Sequence, residues 1–373
     1  GGSISAANAD TIANATSGAV TATITTGAVT TTLNAISNVA TTDTITFTTD
    51  DTTGVDASDL VDLNALVDTS DYSTVTGLTE AYDTANVATE VTTALGLLDA
   101  DETVSITGGS ISAANADTIA NATSGVVTAS VTAAAASTLA AALTNTTSTD
   151  ALTLTVNAEA ADAATDAGDL IALNADTDQA ISLAAGLTKI TATYAEATNI
   201  YSTNAADYTG EGDEAINLED ANLSAANVDT IANLTSGAVT ATITTGAVTT
   251  TLNAIGNVAT TDTITFTTND TAGVDASDLV DLNALVDTGD YTSITGLTEA
   301  STTAAVATEV TNALTITGGT ETVSITGADI SAADANTIAN ATSGVVTATI
   351  TTGAVTTTLN AIGNVATTDT ITF

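Results

Sequence analysis

Short runs in which apolar and hydroxyl side chains alternate recur along the chain, as in Val20-Thr-Ala-Thr-Ile24, Thr44-Ile-Thr-Phe47, Thr74-Val-Thr76 and Val104-Ser-Ile-Thr107. In the first, Val20, Ala22 and Ile24 fall on one side and Thr21, Thr23 and Thr25 on the other. That period of two marks a half-buried strand, and β-branched side chains suit its pleated surface. Between the runs the period lengthens. Ser58-Asp-Leu-Val-Asp-Leu-Asn-Ala-Leu-Val67 carries Leu60, Leu63, Leu66 and Val67 on one helical stripe. Val29, Leu33 and Ile36 form a similar stripe, as do Val87, Val91, Leu95 and Leu98. Ser5, Asp56 or Ser58, and Ser331 stand where N-cap oxygens belong, and Gly18, Gly125, Gly237 and Gly344 where left-handed residues would stop the helices.

The alternation of strand and helix is itself repeated. Gly-Gly-Ser-Ile-Ser-Ala-Ala-Asn-Ala-Asp at Gly1 recurs at Gly108, and the same register returns at Asn222 and Asp329. Residues 18–72 and 237–291 differ only at Ser37/Gly256, Asp50/Asn269, Thr53/Ala272 and Ser70/Gly289. The last outward hydroxyls of successive strands (Thr23, Thr46, Thr76, Thr107, Ser130) lie 23, 30, 31 and 23 residues apart, and continuing the pattern gives about 14 strand units. Strand, short helix and strand in this order make right-handed crossovers. The predicted fold class is α/β: a repeat solenoid with one long parallel sheet backed by short helices. An all-β solenoid, with the linkers as further strands, is the alternative. The repeats divide as 1–107, a divergent 108–219, 220–326 and a partial 327–373, in one continuous solenoid.

Composition narrows the chemistry. The chain has 373 residues, 44 acidic and one basic, no His, Cys, Met, Trp or Pro, and a formal charge of −43. With Lys189 as the sole cation, nucleic acid and anionic membrane surfaces are repelled rather than bound. Thiolate nucleophiles, Ser-His dyads and soft-ligand metal sites are excluded, which leaves oxygen ligands suited to hard cations such as calcium. No stretch has the apolar length of a membrane span, so no membrane insertion is expected. A first residue Gly1 with no signal peptide reads as a piece of something longer, and Phe373 falls in mid-repeat, so flanking repeats or neighbouring copies are the expected partners.

The densest acidic loop, Asp50 to Asp59, is repeated from Asn269 to Asp278. Helix capping is the favoured reading of it. The alternative is a loop calcium site using Asp50, Asp51 and Asp56, with Asp270 and Asp275 in the second copy. Asp99-Ala-Asp-Glu102 and Glu211-Gly-Asp-Glu214 read as solvated turns. An outward hydroxyl ladder is expected from Thr21/Thr23, Thr44/Thr46, Thr74/Thr76, Thr240/Thr242, Thr263/Thr265 and Thr347/Thr349, a face for lateral contact or, as a further reading, for ice. Asn14, Asn121, Asn233 and Asn340 each open an Asn-x-Thr triplet, for which copying of the repeat is explanation enough and N-glycosylation the other reading. Only paired carboxylates could catalyse anything, and no pair is singled out, so an enzyme is not expected.

Units such as 4–24, 57–67 and Gly210-Glu-Gly-Asp-Glu-Ala-Ile-Asn-Leu218 resemble the Thr/Ala/Asp-rich repeats of giant bacterial surface proteins, most closely the cyanobacterial swimming-motility and oscillin-like group. The resemblance implies an exported surface fibre or coat, often with calcium, although the calcium-binding nonapeptides of some such proteins are missing. The expected role is a structural segment of an extracellular, cell-surface repeat protein, a filament, stalk or layer. The alternative is an adhesin or fibre-type module that recognises a glycan or surface.

Overall fold

The computed structural model describes residues 2–82, 86–160, 163–301 and 305–373. The chain forms two compact units, residues 1–188 with 203–211, and residues 189–202 with 212–373. Their boundary falls inside the divergent second repeat. The first holds α1 (Ala6–Ala15), α2 (Val29–Asn34), α3 (Ala57–Leu66), α4 (Val87–Leu95), α5 (Ala113–Ala120), α6 (Ala136–Ala142) and α7 (Ala167–Asn174). The second holds α8 (Tyr194–Thr198), α9 (Ala225–Ala232), α10 (Val248–Leu252), α11 (Ala276–Leu285), α12 (Val306–Thr317), α13 (Ala332–Ala341) and α14 (Val355–Ala361). The linkers are therefore helical, and the all-β alternative is set aside. No helix among the described residues is long and apolar enough to cross a membrane.

Each helix is followed by one or more short strands that pair in parallel with those of the neighbouring coil. Thr21 lies opposite Thr44, Thr46 opposite Thr69, Val55 opposite Leu78 and Val104 opposite Val127. Adjacent helices pack side by side, α2 on α3, α3 on α4, and again α10 on α11 and α11 on α12. Between the layers lie Ile45, Phe47, Leu60, Leu63, Leu78, Val91 and Val104, and in the second unit Ile264, Phe266, Leu279, Leu282, Leu297, Val310 and Val323, all buried. A single coil could bury little by itself; stacking makes the core common to neighbours.

The strands form several sheets where one long sheet is the sequence expectation. The first unit has one sheet of Thr21–Thr23, Thr44–Thr48 and Thr69–Asp71, a second running from Val55–Asp56 through Gly77–Ala81, Thr103–Ile111 and Val127–Val131 to Ala151–Thr153, and a third linking Ala134–Ala135, Thr155–Asn157, Ile181–Leu183 and Tyr208–Thr209. In the second unit, one ladder runs from Lys189–Ala192 to Thr288–Asp290 and another from Val274–Asp275 to Thr370–Thr372. In the α2-to-α3 and α3-to-α4 connections the chain forms two strand segments in turn; the first of each, Thr44–Thr48 and Thr69–Asp71, pairs within one sheet and the second, Val55–Asp56 and Gly77–Ala81, within the next.

Two further expectations are corrected. The strand placed at Thr74–Thr76 begins instead at Gly77, because Thr74 Oγ1 and Thr76 Oγ1 donate to Asp51 O (2.8 Å) and Thr52 O (2.9 Å) of the preceding coil. Gly18, Gly125, Gly237 and Gly344 are not among the left-handed glycines. A Cβ on Gly237 would collide with Glu214 O and stand 2.6 Å from Ala215 N; on Gly125 it would collide with Glu102 O and stand 2.6 Å from Asp101 O. Gly344 meets Glu321 O in the same way. Gly125, Gly237 and Gly344 thus admit the neighbouring coil's backbone, whereas a Cβ on Gly18 would meet only Thr16 Oγ1 at 3.6 Å.

Candidate functional site

Short strands and helices leave many amides without an intrasegment acceptor, the first turn of each helix above all. In this chain many of the acceptors come from other coils. The N–H groups of Val20, Val127, Val239 and Val346 donate to Asp43, Asp150, Asp262 and Asp369 at 2.7, 2.7, 2.8 and 2.9 Å, each pair 23 residues apart. The second oxygen of each carboxylate accepts from Ala40, Thr147, Ala259 or Ala366, which closes the turn that presents it. At the helix starts, Val29 donates to Asp51 (2.7 Å), Val248 to Asp270 (2.8 Å), and Ser58 and Ser277 to Glu80 and Glu299 (3.0 Å each), all 22 residues apart. Below the helix ends, Asp10, Asp117 and Asp229 accept both from the backbone and from the side-chain amide of Asn38, Asn145 and Asn257, 28 residues on.

The candidate calcium ligands belong to this network. Asp51 and Asp270 serve the first amides of α2 and α10, whose own N-cap residues, Ala28 and Ala247, have no side-chain oxygen. Asp56 caps α3 through Asp59 N (3.1 Å) and Ser58 Oγ (2.7 Å), and Asp275 does the same for α11. Asp50 is exposed, and its N–H reaches Gly27 O. Asp51 and Asp56 thus work at two different helices. Among the described residues, no three acidic side chains gather closely enough to hold a metal ion. Ser5 and Ser331 cap α1 and α13 as the spacing predicts.

The environments set the charges. Asp43 is held below the usual carboxylate range by the N–H groups of Ala40 and Val20. For Asp117, burial pushes upward, but hydrogen bonds from Asn145 and Thr144 outweigh it and leave the pKa lowered. Glu80 is pushed up to about 7, first by burial and then by Asp56 and Glu90. Glu299 is raised for the same reasons, with Asp275 and Glu309 as the neighbours. Asp71, Asp99, Asp101 and Glu102 line a polar hollow of about 420 Å³, whose chain turns at Ala100 with φ 61°.

The hydroxyl ladder lies on the outer face in register: Thr21 beside Thr44, Thr23 beside Thr46, Thr240 beside Thr263 and Thr242 beside Thr265. Thr347 and Thr349 face Thr370 and Thr372. Thr46, Thr242 and Thr265 are half-buried and the other nine expected members, Thr74 and Thr76 among them, are exposed. The Asn of each Asn-x-Thr triplet is exposed. In three of the four, the Thr clasps the preceding coil: Thr123, Thr235 and Thr342 donate to Glu102 O, Glu214 O and Glu321 O at 2.7 to 2.8 Å. In the divergent repeat Tyr201 donates to Glu214 (2.9 Å) and Tyr208 to Leu170 O (3.2 Å), so these phenols help to hold their own unit together. No family model, curated protein or solved structure matches the chain.

Proposed function

We propose that the chain is a structural segment of an extracellular or cell-surface repeat protein, its coils stacked as a solenoid that serves as fibre, stalk or surface layer. One observation carries the reading: the same carboxylate-to-amide contact between coils occurs at Val20, Val127, Val239 and Val346, once in every sequence repeat. A bond copied in this way supports stacking of indefinite number, since each repeat presents the same contact as the last. The charge fits the same role. Acidic groups hold the backbone, and the excess of 44 acids over one base keeps such a surface soluble and apart from nucleic acid and anionic lipid.

The test is an insertion. Duplicating residues 237–343 in line adds four coils, as the helix starts Ala6, Val29, Ala57, Val87 and Ala113 define them. At roughly 4.8 Å per strand, the longest dimension in small-angle X-ray scattering should grow by about 19 Å with an unchanged cross-section. Growth of the cross-section at constant length, as in a compact globule, would overturn the proposal.

A further inference from the structure

The hollow beside Glu102 is where the two units part company. Its lining includes the carboxylates of Asp71, Asp99, Asp101 and Glu102 and the half-buried Leu97 and Leu98. Glu102 is no solvated turn residue, being only 2% exposed. Its Oε1 accepts from Asp99 N (3.2 Å), while Oε2 is buried without a hydrogen-bond partner. A buried carboxylate oxygen without a donor is costly, and one in the wall of a hollow marks the place where a donor belongs. The lining has no basic side chain, and the sole lysine, Lys189, belongs to the other unit. In that second unit Gly318, Gly319, Thr320 and Glu321 stand where the first has Asp99, Ala100, Asp101 and Glu102. There the glutamate is satisfied from within: one oxygen accepts from Thr320 N (2.8 Å) and the other from Thr320 Oγ1 (3.4 Å). The first unit replaces that threonine by an acid and carries a left-handed turn on Ala100 (φ 61°) where the second uses Gly319 (φ 74°). It has lost an internal donor and gained two groups that, when ionised, only accept.

We propose that this hollow binds a small organic cation, an alkylammonium or guanidinium group carried on a short run of methylenes. Several N–H donors on one molecule supply what Glu102 Oε2 lacks and pair with the carboxylates around it through charge-assisted hydrogen bonds. Geometry favours such a cation over a bare metal ion. No three acidic side chains among the described residues gather closely enough to chelate one ion, whereas a longer cation reaches acids that stand apart, and about 420 Å³ admits it. Leu97 and Leu98 offer apolar surface to its methylenes. Asp71 is held ionised by the side chain and backbone of Ser73, which lower its pKa. Every residue used lies in the first unit, so the site does not depend on the structural role proposed above.

The probes are agmatine and 1,4-diaminobutane, titrated into the intact chain at constant ionic strength while backbone amide shifts are read by NMR. Saturable shifts are expected at residues 71–76 and 99–102, with a Kd of about 1 mM or tighter, and none at their counterparts 290–295 and 318–321. Asp99→Gly with Asp101→Thr, residues that the second unit already holds at these positions, should weaken binding about tenfold with an unchanged circular dichroism spectrum, and so should Glu102→Gln. A blocked Gly-Arg-Gly peptide separates two sources of the group: binding as tight as agmatine's supports a side chain from a partner, and weaker binding a free amine. No saturable shift at about 10 mM probe, or unchanged affinity in the variants, would overturn the inference. Equal shifts in both units, as diffuse attraction to an acidic surface gives, would do so too. Displacement of the probes by calcium chloride at equal or lower concentration would assign the hollow to a metal instead.

Discussion

Replacing Gly237 with alanine tests coil packing at its tightest point. The residue's φ is not left-handed, so alanine itself is conformationally acceptable there. The added methyl would coincide with Glu214 O and lie 2.6 Å from Ala215 N, against the roughly 3.5 Å that carbon needs. Relief requires the two coils to part by about 1 Å. That would stretch Ser236 N to Gly212 O and Ile216 N to Ala238 O, now 2.8 and 2.9 Å, past useful hydrogen-bond length. Overpacking costs about 1–3 kcal/mol and each weakened bond about 1 kcal/mol, so the loss is about 3–5 kcal/mol. For a unit of this size that lowers Tm by about 10 °C. Gly256→Ala is the control: nothing lies within 4 Å of its Cβ, and Ser37 already occupies the equivalent position. It should change Tm by about 2 °C or less. Gly237→Asn separates the two accounts of this glycine, since a left-handed helix stop tolerates Asn and a crowded contact does not. Equal melting of the Gly237→Ala and Gly256→Ala chains, measured by circular dichroism, would refute the packing argument.

Three other outcomes are expected. Asp262→Ala strands the buried amide of Val239 and frees that of the exposed Ala259, and should cost about 1–3 kcal/mol by urea denaturation, whereas Asp262→Asn, which keeps one acceptor, should cost less. Because Glu80 is raised to about 7, the folded chain binds a proton more tightly than the unfolded one between its ordinary 4.5 and about 7, so stability rises as pH falls through that window. Thermal melts from pH 8 to 5 should show the rise, and Glu80→Gln with Glu299→Gln should reduce it, leaving the part due to Asp176, which burial pushes up to about 6; below the ordinary 3.8 of aspartate the lowered groups, Asp43, Asp71 and Asp290, protonate and stability falls again. Sodium chloride should raise Tm steadily from low ionic strength, since 44 acids face a single base, and a melt independent of salt would contradict this.

Much of the local structure was legible. Thr-x-Thr alternation marks the strands near Thr21, Thr44 and Thr263, the Leu60 and Leu63 stripe marks α3, and Ser5 and Asp56 mark helix starts. Each depends on neighbours a few residues away. What escaped is what depends on the next coil. Thr32 and Thr251 are buried on faces where Leu33 and Leu252 stay half-buried, because the adjacent coil decides which side is covered. The role of Gly125 and Gly237 lies in a carbonyl more than twenty residues earlier, and the strand at Gly77 starts late because Thr74 and Thr76 are engaged backwards. The acid columns did leave a signal: Asp43, Asp150, Asp262 and Asp369 each follow a strand-opening Val by the same interval. Searching for a fixed lag between charge and strand start, rather than for local clusters, finds them.

The direction of these contacts has a consequence for synthesis. The acceptor for each strand-opening Val, for the first amide of α2 and α10 and for the second amide of α3 and α11 lies downstream of its donor. A polypeptide emerging amino end first therefore cannot complete any such turn until its successor has also emerged. Maturation travels as a front that trails the point of emergence by a single winding, and at any moment only the newest winding is left open to errors of pairing.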